Sequence, residues 1–480
     1  MAHELKSHRL HNVEHMPHVQ MSDDNVVIEA NYTGWYMRYN DEQKMAYYTE
    51  DIGLQLFYYN NHLDYPFWLG GEEFKLYKDR RGEMYYYKHM QLLARYYLER
   101  LSNGLGEIPV MTTNTPVVGF NPSLTYDNGL VFPIRSNGYV PLNPVIMKYL
   151  EKMHQIEQRI ADAVSSMYIV TENAEMLSIK KPEGIEILGN IVEGNPDSKN
   201  LRYYKRVVNI ALSVYGSGVV SLPTHRNHIA PSVLEHYQTA MRDPMFYQIY
   251  KGYMQYFMEY KNQLPHYTRE ELLSSGVKVM NVEVDKLMTY FEPVYANISN
   301  VMYLDEHEVK NMMENLHVLV RQMRINHKPF NTKITVKSEV AKTVYVKLFL
   351  GPKYDNHGLE IPLNENRFNF VELDEFKYEM KQGDNIIVRN SQDSVITSED
   401  PTSSAKMYQQ VMQALDGAAT FHLDMTEDQS EWPQRLMLPK GTKSGMPFIV
   451  YVHIGDYVEA KVPFGKGFDP AISNGTDLLP

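Results

Sequence analysis

Apolar and polar residues recur with two different periods along this chain, and the change falls near residue 275. Up to about residue 265 the period is helical. GEMYYYKHMQLLARYYLERLSNGLG (82–106) puts Tyr85, His89, Leu92, Leu93, Tyr96 and Arg100 on one face, as an amphipathic helix requires. Asn103-Gly104 supplies its C-terminal stop. NPVIMKYLEKMHQIEQRIADAVSSMYI (143–169) and SKNLRYYKRVVNIALSVYG (198–216) read as further long helices. PSVLEHYQTAMRDPMFYQIYKGYMQYFMEYKNQ (231–263) reads as two helices broken at Asp243-Pro244, because proline lacks the donor N–H and disfavours helix in the residue before it. A shorter helix ends near His62 in FYYNNHLDYPFWLGG (57–71). Helices of this length and number suggest a bundle.

Beyond Ser275 the period drops to two. GVKVMNVEV (276–284), TKITVKSEV (332–340), KTVYVKLFLGP (342–352), DNIIVRN (384–390) and MPFIVYVHIG (446–455) read as strands between Gly, Asn and Pro punctuation. In the third, Val344, Val346, Leu348 and Leu350 face one way, with Thr343, Tyr345, Lys347 and Phe349 opposite. Helices first and strands second predict an α+β fold with an antiparallel sandwich at its C-terminal end. No internal repeat or low-complexity tract interrupts this order.

Composition narrows the function classes. Hydrophobic residues make up 43% and charged residues 22% of the 480, a globular balance at a length that calls for two or three domains. No apolar run nears the roughly 18 residues that cross a bilayer. Lys+Arg 47 against Asp+Glu 59 leaves a net charge of −12, which argues against nucleic acid or an anionic membrane as partner. The absence of cysteine rules out disulfides, thiol catalysis and zinc–cysteine sites, and leaves the redox compartment open. MAHELKSHRLHNVEHMPH (1–18) has no apolar stretch, so no signal peptide is expected within the chain, and a mature secreted chain would read like a cytosolic one. The 28 Met, 37 Tyr and 17 Phe read either as an aromatic core with methionine filling gaps or as a composition selected as a nutrient reserve. Composition alone favours the core.

Three groups of histidines are candidate metal ligands. Tyr58 and His62 lie one turn apart, and His89 sits on the inner face of the next helix. Such residues could hold a metal inside a bundle, but two imidazoles and a phenol fit hydrogen-bonded core residues better. His225 and His228 in THRNH (224–228), with His236 after them, stand between Pro223 and Pro231 and read as a loop without metal. His8, His11, His15 and His18 fall on one helical face, suiting adventitious metal or a pH-responsive contact. Pro17 interrupts that face, and a frayed terminus with chance spacing is the plainer reading. No phosphate-cradling loop, nucleophile elbow or zinc-protease helix is present. Asn31-Tyr-Thr33, Asn297-Ile-Ser299 and Asn474-Gly-Thr476 match the glycosylation acceptor pattern, which is weak support for secretion.

TEDIGL (49–54), DYPFW (64–68), KDRRGEMYYYKHMQLLARYYLERLSNGLGEIP (78–109), SVLEHYQTAMRDPMFYQIY (232–250) and LPKGTKSGMPF (438–448) carry a resemblance to the insect hexamerins, haemolymph storage proteins of the hemocyanin superfamily. The resemblance runs from about residue 28 nearly to the C-terminus. It implies a tail of an N-terminal helical domain (1–30), a central four-helix-bundle domain (31–270) and an immunoglobulin-like β-sandwich (271–480), the last incomplete. A fragment or a shortened relative is expected.

The superfamily includes oxygen carriers and phenoloxidases with paired coppers, each held by three histidines, and copper-free storage proteins. Position by position, the resemblance puts the first copper's ligands at Tyr58, His62 and His89 and one ligand of the second at Tyr250, so each copper loses a ligand to tyrosine. The other two fall near GVVSLPTHRNHIAP (218–231) without a definite alignment. A phenol binds copper poorly, since its proton has a pKa of about 10. The expectation is a non-catalytic amino-acid reserve with no cofactor, secreted into haemolymph and later held in fat-body granules. By the same resemblance it would be a homo- or hetero-hexamer with hexamerin subunits, taken up by a fat-body receptor. Methionine is high beside the aromatics, so neither the arylphorin nor the methionine-rich type fits cleanly. The alternatives are a haemolymph carrier of hormone, flavin or lipid, and a copper oxygen carrier or phenoloxidase.

Overall fold

A computed structural model describes residues 19–22, 25–30, 32–33, 40–66, 68–70, 74, 80–111, 117–141, 144–216, 230–298, 317–400, 404–421 and 431–457. The N-terminal half is helical: α1 (Ile52–Asp64), α2 (Arg81–Ser102), α3 (Pro144–Ser166), α4 (Gly184–Glu193), α5 (Val207–Tyr215) and α6 (Pro244–Asn262). They share one apolar core that takes in Tyr85, Leu92 and Tyr96 of α2, Ile156 and Ile160 of α3, and Phe246, Tyr250 and Phe257 of α6. The face predicted for α2 therefore lies in the core, and its Arg100 is buried against Glu42.

Two helical expectations are corrected. The stretch 198–216 is a short turn, Leu201–Tyr204, then α5, because Lys205 takes φ 54°, ψ −160° and breaks the helix. The stretch 231–243 holds only two 3₁₀ turns, Val233–Glu235 and Ala240–Arg242. Its first turn is closed by a capping box, in which the Glu235 carboxylate accepts from the Ser232 N–H. His236 and Asp243 are extended. Asp243 then caps α6, with Pro244 in the first turn as expected.

The C-terminal half is mainly β. All five predicted strands form, as β3 (Val277–Val284), β6 (Asn331–Ser338), β7 (Lys342–Pro352), β9 (Gly383–Asn390) and β10 (Phe448–Asp456). The reading missed β1 (Val19–Ser22), β2 (Asn25–Glu29), β4 (Thr289–Asn297), β5 (His317–His327) and β8 (Val371–Met380). Of residues 1–30, expected as the tail of a helical domain, the structure describes 19–22 and 25–30, where β1 and β2 form a hairpin and β2 runs parallel to β5 in a sheet ordered β1-β2-β5-β4. Two antiparallel three-stranded sheets, β8-β7-β10 and β9-β6-β3, face each other. Ile334 and Val336 of β6 and Ile387 of β9 meet Val344, Val346, Leu348 and Leu350 of β7 in one core. The other face of β7 is buried as well: Lys347 is 1% exposed, between Glu372 at 2.9 Å and Glu375 at 3.0 Å.

α2 joins the halves. Its Arg95 guanidinium pairs with Glu99 and donates to the carbonyls of Leu436 and Leu438, each at 2.9 Å. At the other end of α2 its backbone touches α4: a Cβ added to Gly189 would stand 2.0 Å from the Gly82 carbonyl oxygen. Glycine is required at this crossing.

Candidate functional site

α1, α2 and α6 converge on the cluster. Asp51 caps α1 by accepting from the Leu54 N–H at 3.2 Å, and its carboxylate takes two further bonds from Arg435 at 2.6 and 2.7 Å. Asp243 caps α6 and is gripped in the same way by Arg135, at 2.6 and 2.7 Å. These buried, bidentate pairs fix where each helix starts. Tyr58 and His62 then project from α1, Tyr85 and His89 from α2, and Phe246 and Tyr250 from α6.

The structure brings together the four positions that the resemblance assigns to copper. The His89 Nδ1–H donates to the Tyr85 carbonyl at 2.7 Å, which leaves its Nε2 as an acceptor. The Tyr58 Oη lies 3.5 Å from that Nε2 and 3.1 Å from the Tyr250 Oη. One proton arrangement satisfies all three groups: Tyr250 donates to Tyr58, and Tyr58 donates to His89. The Tyr250 ring stacks on His89 with centroids 4.1 Å apart, and the Tyr237 ring stacks on His62 at 3.8 Å.

Burial sets the protonation of every member. It raises the Tyr58 phenol well above its ordinary range and pushes Tyr250 up to about 12. It pushes His89 down to about 4. His62 is lowered first by burial, then by the nearby His89, Lys88 and Arg81. At neutral pH the cluster is two neutral imidazoles and two protonated phenols.

This donor set does not fit a copper pair. Both phenols hold their protons at neutral pH, and those protons are already used in the hydrogen-bond chain. The cavity beside the cluster, lined by Asn61, His62, Tyr85, Lys88, His89 and Glu193 among others, measures about 40 Å³, far below the 300–1,000 Å³ of small-molecule sites. Among the described residues, no group of three or more His, Asp or Glu side chains is placed to hold a metal.

The remaining candidates lie elsewhere. His236 Nε2 is 2.9 Å from the Tyr126 Oη and belongs to a separate aromatic group with Phe132. Asn297 is exposed at the end of β4. His8, His11, His15, His18, His225, His228, Asn31 and Asn474 lie outside the described residues. Sequence reasoning missed Tyr237, which sits beside His236 in the stretch expected to be helical. It also missed the Arg81–Glu193 pair at the cavity wall, 3.1 Å apart. No local signal marks that pair, whose members are 112 residues apart.

Two family models cover nearly the whole chain: the hemocyanin copper-containing domain over residues 1–257 and the hemocyanin ig-like domain over residues 266–470. Hexamerin 70b of Apis mellifera is 38% identical over 92% of this chain, and the larval serum protein 1 alpha chain of Drosophila melanogaster is 38% identical over 91%. The arylphorin subunit alpha of Manduca sexta is 37% identical over 93%. The chain spans 63%, 53% and 65% of the lengths of these three proteins. Among solved structures, a scorpion hemocyanin in its activated state matches 98% of this chain and 72% of its own, with a TM-score of 0.79 and 30% identity. A crustacean prophenoloxidase shares the fold over 95% of this chain and 69% of its own, with a TM-score of 0.77 and 24% identity. The helical half and the ig-like half thus both belong to the hemocyanin family, and within it the chain is similar to the hexamerins, larval serum proteins and arylphorins.

Proposed function

We propose that this chain is a copper-free amino-acid reserve of haemolymph, secreted and without catalytic activity. The observation that carries the reading is the Tyr58–Tyr250 hydroxyl pair at 3.1 Å, with His89 stacked on Tyr250: phenols stand where imidazole ligands would be needed, and they bond to each other. The 28 Met, 37 Tyr and 17 Phe then become the stored goods, released by proteolysis as sulfur and aromatic precursors. In this reading the chain assembles as a hexamer with its own copies or related subunits. It is taken up by a fat-body receptor, is held in granules, and carries glycans at Asn31, Asn297 and Asn474. We further read the helices around α2 and α6 as the four-helix bundle of the copper domain, within the bounds 31–270, with the sandwich in 271–480. Among the described residues no helix is long and apolar enough to cross a membrane.

The test is native mass with metal analysis on protein from its source, beside a diphenol oxidation assay. A six-subunit particle without copper and without turnover is expected. Two coppers per chain, or oxidation of the diphenol, would overturn the reading.

A further inference from the structure

On the helical half, α3 and the segment leading into α5 separate to leave an open surface groove of about 500 Å³. Tyr149 and Lys152 come from α3, Lys205 and Arg206 from the bend before α5, and Ile210 and Ser213 from α5. Three lining residues are cationic and none carries a carboxylate, although the chain as a whole has a net charge of −12. Lys152 and Lys205 are both exposed. Among the described residues neither ammonium group has a carboxylate partner, whereas Arg206 is anchored through its Nε on the Gly194 carbonyl at 3.1 Å.

The backbone beneath these cations is strained. Lys205 has φ 54° and ψ −160°, a region that is nearly restricted to glycine and costs a side-chain-bearing residue energy. That strain aims consecutive basic side chains at the groove. The two ends differ in charge. Ser213 lies seven residues along α5 from Arg206, about 10 Å at helical rise, and its hydroxyl donates to the Glu235 carboxylate. Between them Tyr149, 42% exposed, and Ile210 supply apolar wall.

We propose that this groove binds a small organic anion. Its acidic head rests on Lys152 and Lys205, and an apolar body of about 10 Å runs along Tyr149 and Ile210 toward Ser213. Glu235 repels the head from the opposite end, so the ligand has one orientation. The site is independent of the Tyr58–Tyr250 cluster, and the storage reading stands or falls without it.

The experiment is isothermal titration of the full chain at low salt with decanoate, 1-decanol and acetate. Decanoate is expected to bind, with 1-decanol and acetate each at least tenfold weaker, because one lacks the charge and the other the body. Lys152→Glu/Lys205→Glu should weaken decanoate at least tenfold and leave the circular dichroism spectrum unchanged, since both side chains are at the surface. Absence of decanoate binding at millimolar concentration overturns the proposal. So do equal binding of 1-decanol, equal binding of acetate, and unchanged decanoate affinity in the charge-reversed variant.

Discussion

Tyr58 has one hydroxyl and two neighbours that depend on it, the Tyr250 Oη at 3.1 Å and the His89 Nε2 at 3.5 Å. Tyr58→Phe therefore removes the bonds to both buried groups, at about 1–3 kcal/mol, measurable as a lower denaturant midpoint. Tyr58→Phe combined with Tyr250→Phe should cost less than the sum of the single changes, because both remove the same bond; strict additivity would contradict the hydrogen-bond chain. His453 provides a pH test away from this cluster. Burial, then the Lys347 charge, lowers it to about 4, against an ordinary value of about 6.5. Its stability contribution is full above 6.5 and is lost as pH falls toward 4, since the unfolded chain takes up the proton first. Between pH 7 and pH 5 the loss is about 2 kcal/mol. His453→Phe should shrink the pH 7-to-5 difference in unfolding free energy by that amount, and an unchanged difference would sink the assignment.

At the scale of elements, α2 is buried along nearly its whole length and has no room at its crossing with α4. Gly189→Ala drives a methyl into the Gly82 carbonyl, 2.0 Å away, and backbone cannot yield as a side chain does. The expected loss is at least 1–3 kcal/mol, read from thermal or denaturant unfolding. A neutral substitution would mean that the helices do not touch here. The strands that sequence reasoning found and those it missed differ in a physical way. β7 alternates cleanly, so its apolar face is legible. β8 carries a register shift between Glu372 and Asp374, which breaks the period of two, and its Glu372 and Glu375 are paired with Lys347 across the sheet, with the Tyr87 hydroxyl also donating to Glu372. The stretch 231–243 buries Val233, Leu234, Ala240 and Met241 at spacings that imitate a helix. Its capped 3₁₀ turns are held instead by distant groups: Arg242 donates to the Pro122 carbonyl at 3.1 Å and Arg135 grips Asp243.

For the whole molecule, the two halves are joined by buried charge rather than by a loop alone. Arg435, from the β half, binds Asp51 at the start of α1 through two bonds and also reaches Asp400 at 2.8 Å. The Lys440 ammonium donates to Asn103 Oδ1 at 2.6 Å at the end of α2. One cooperative unfolding transition is expected in calorimetry, with matching calorimetric and van't Hoff enthalpies. Arg435→Ala leaves Asp51 as an uncompensated buried charge, a loss of about 3–5 kcal/mol, and should split or broaden that transition. A single unchanged transition in the variant would show that the halves are coupled by other contacts.

Local sequence determined the helical half, the five alternating strands and the family, because period, caps and turn residues act over a few positions and can be read along the chain. It also placed tyrosine at Tyr58 and Tyr250, the donor types that make the cluster unsuited to copper. Tertiary structure alone decided that these hydroxyls bond to each other and that Tyr237 stacks on His62. It also decided that Lys205 bends the chain toward a cationic groove, and that β1 and β2 join a sheet with strands nearly 300 residues away. Each of these depends on partners far apart in sequence, and no local pattern records such pairings.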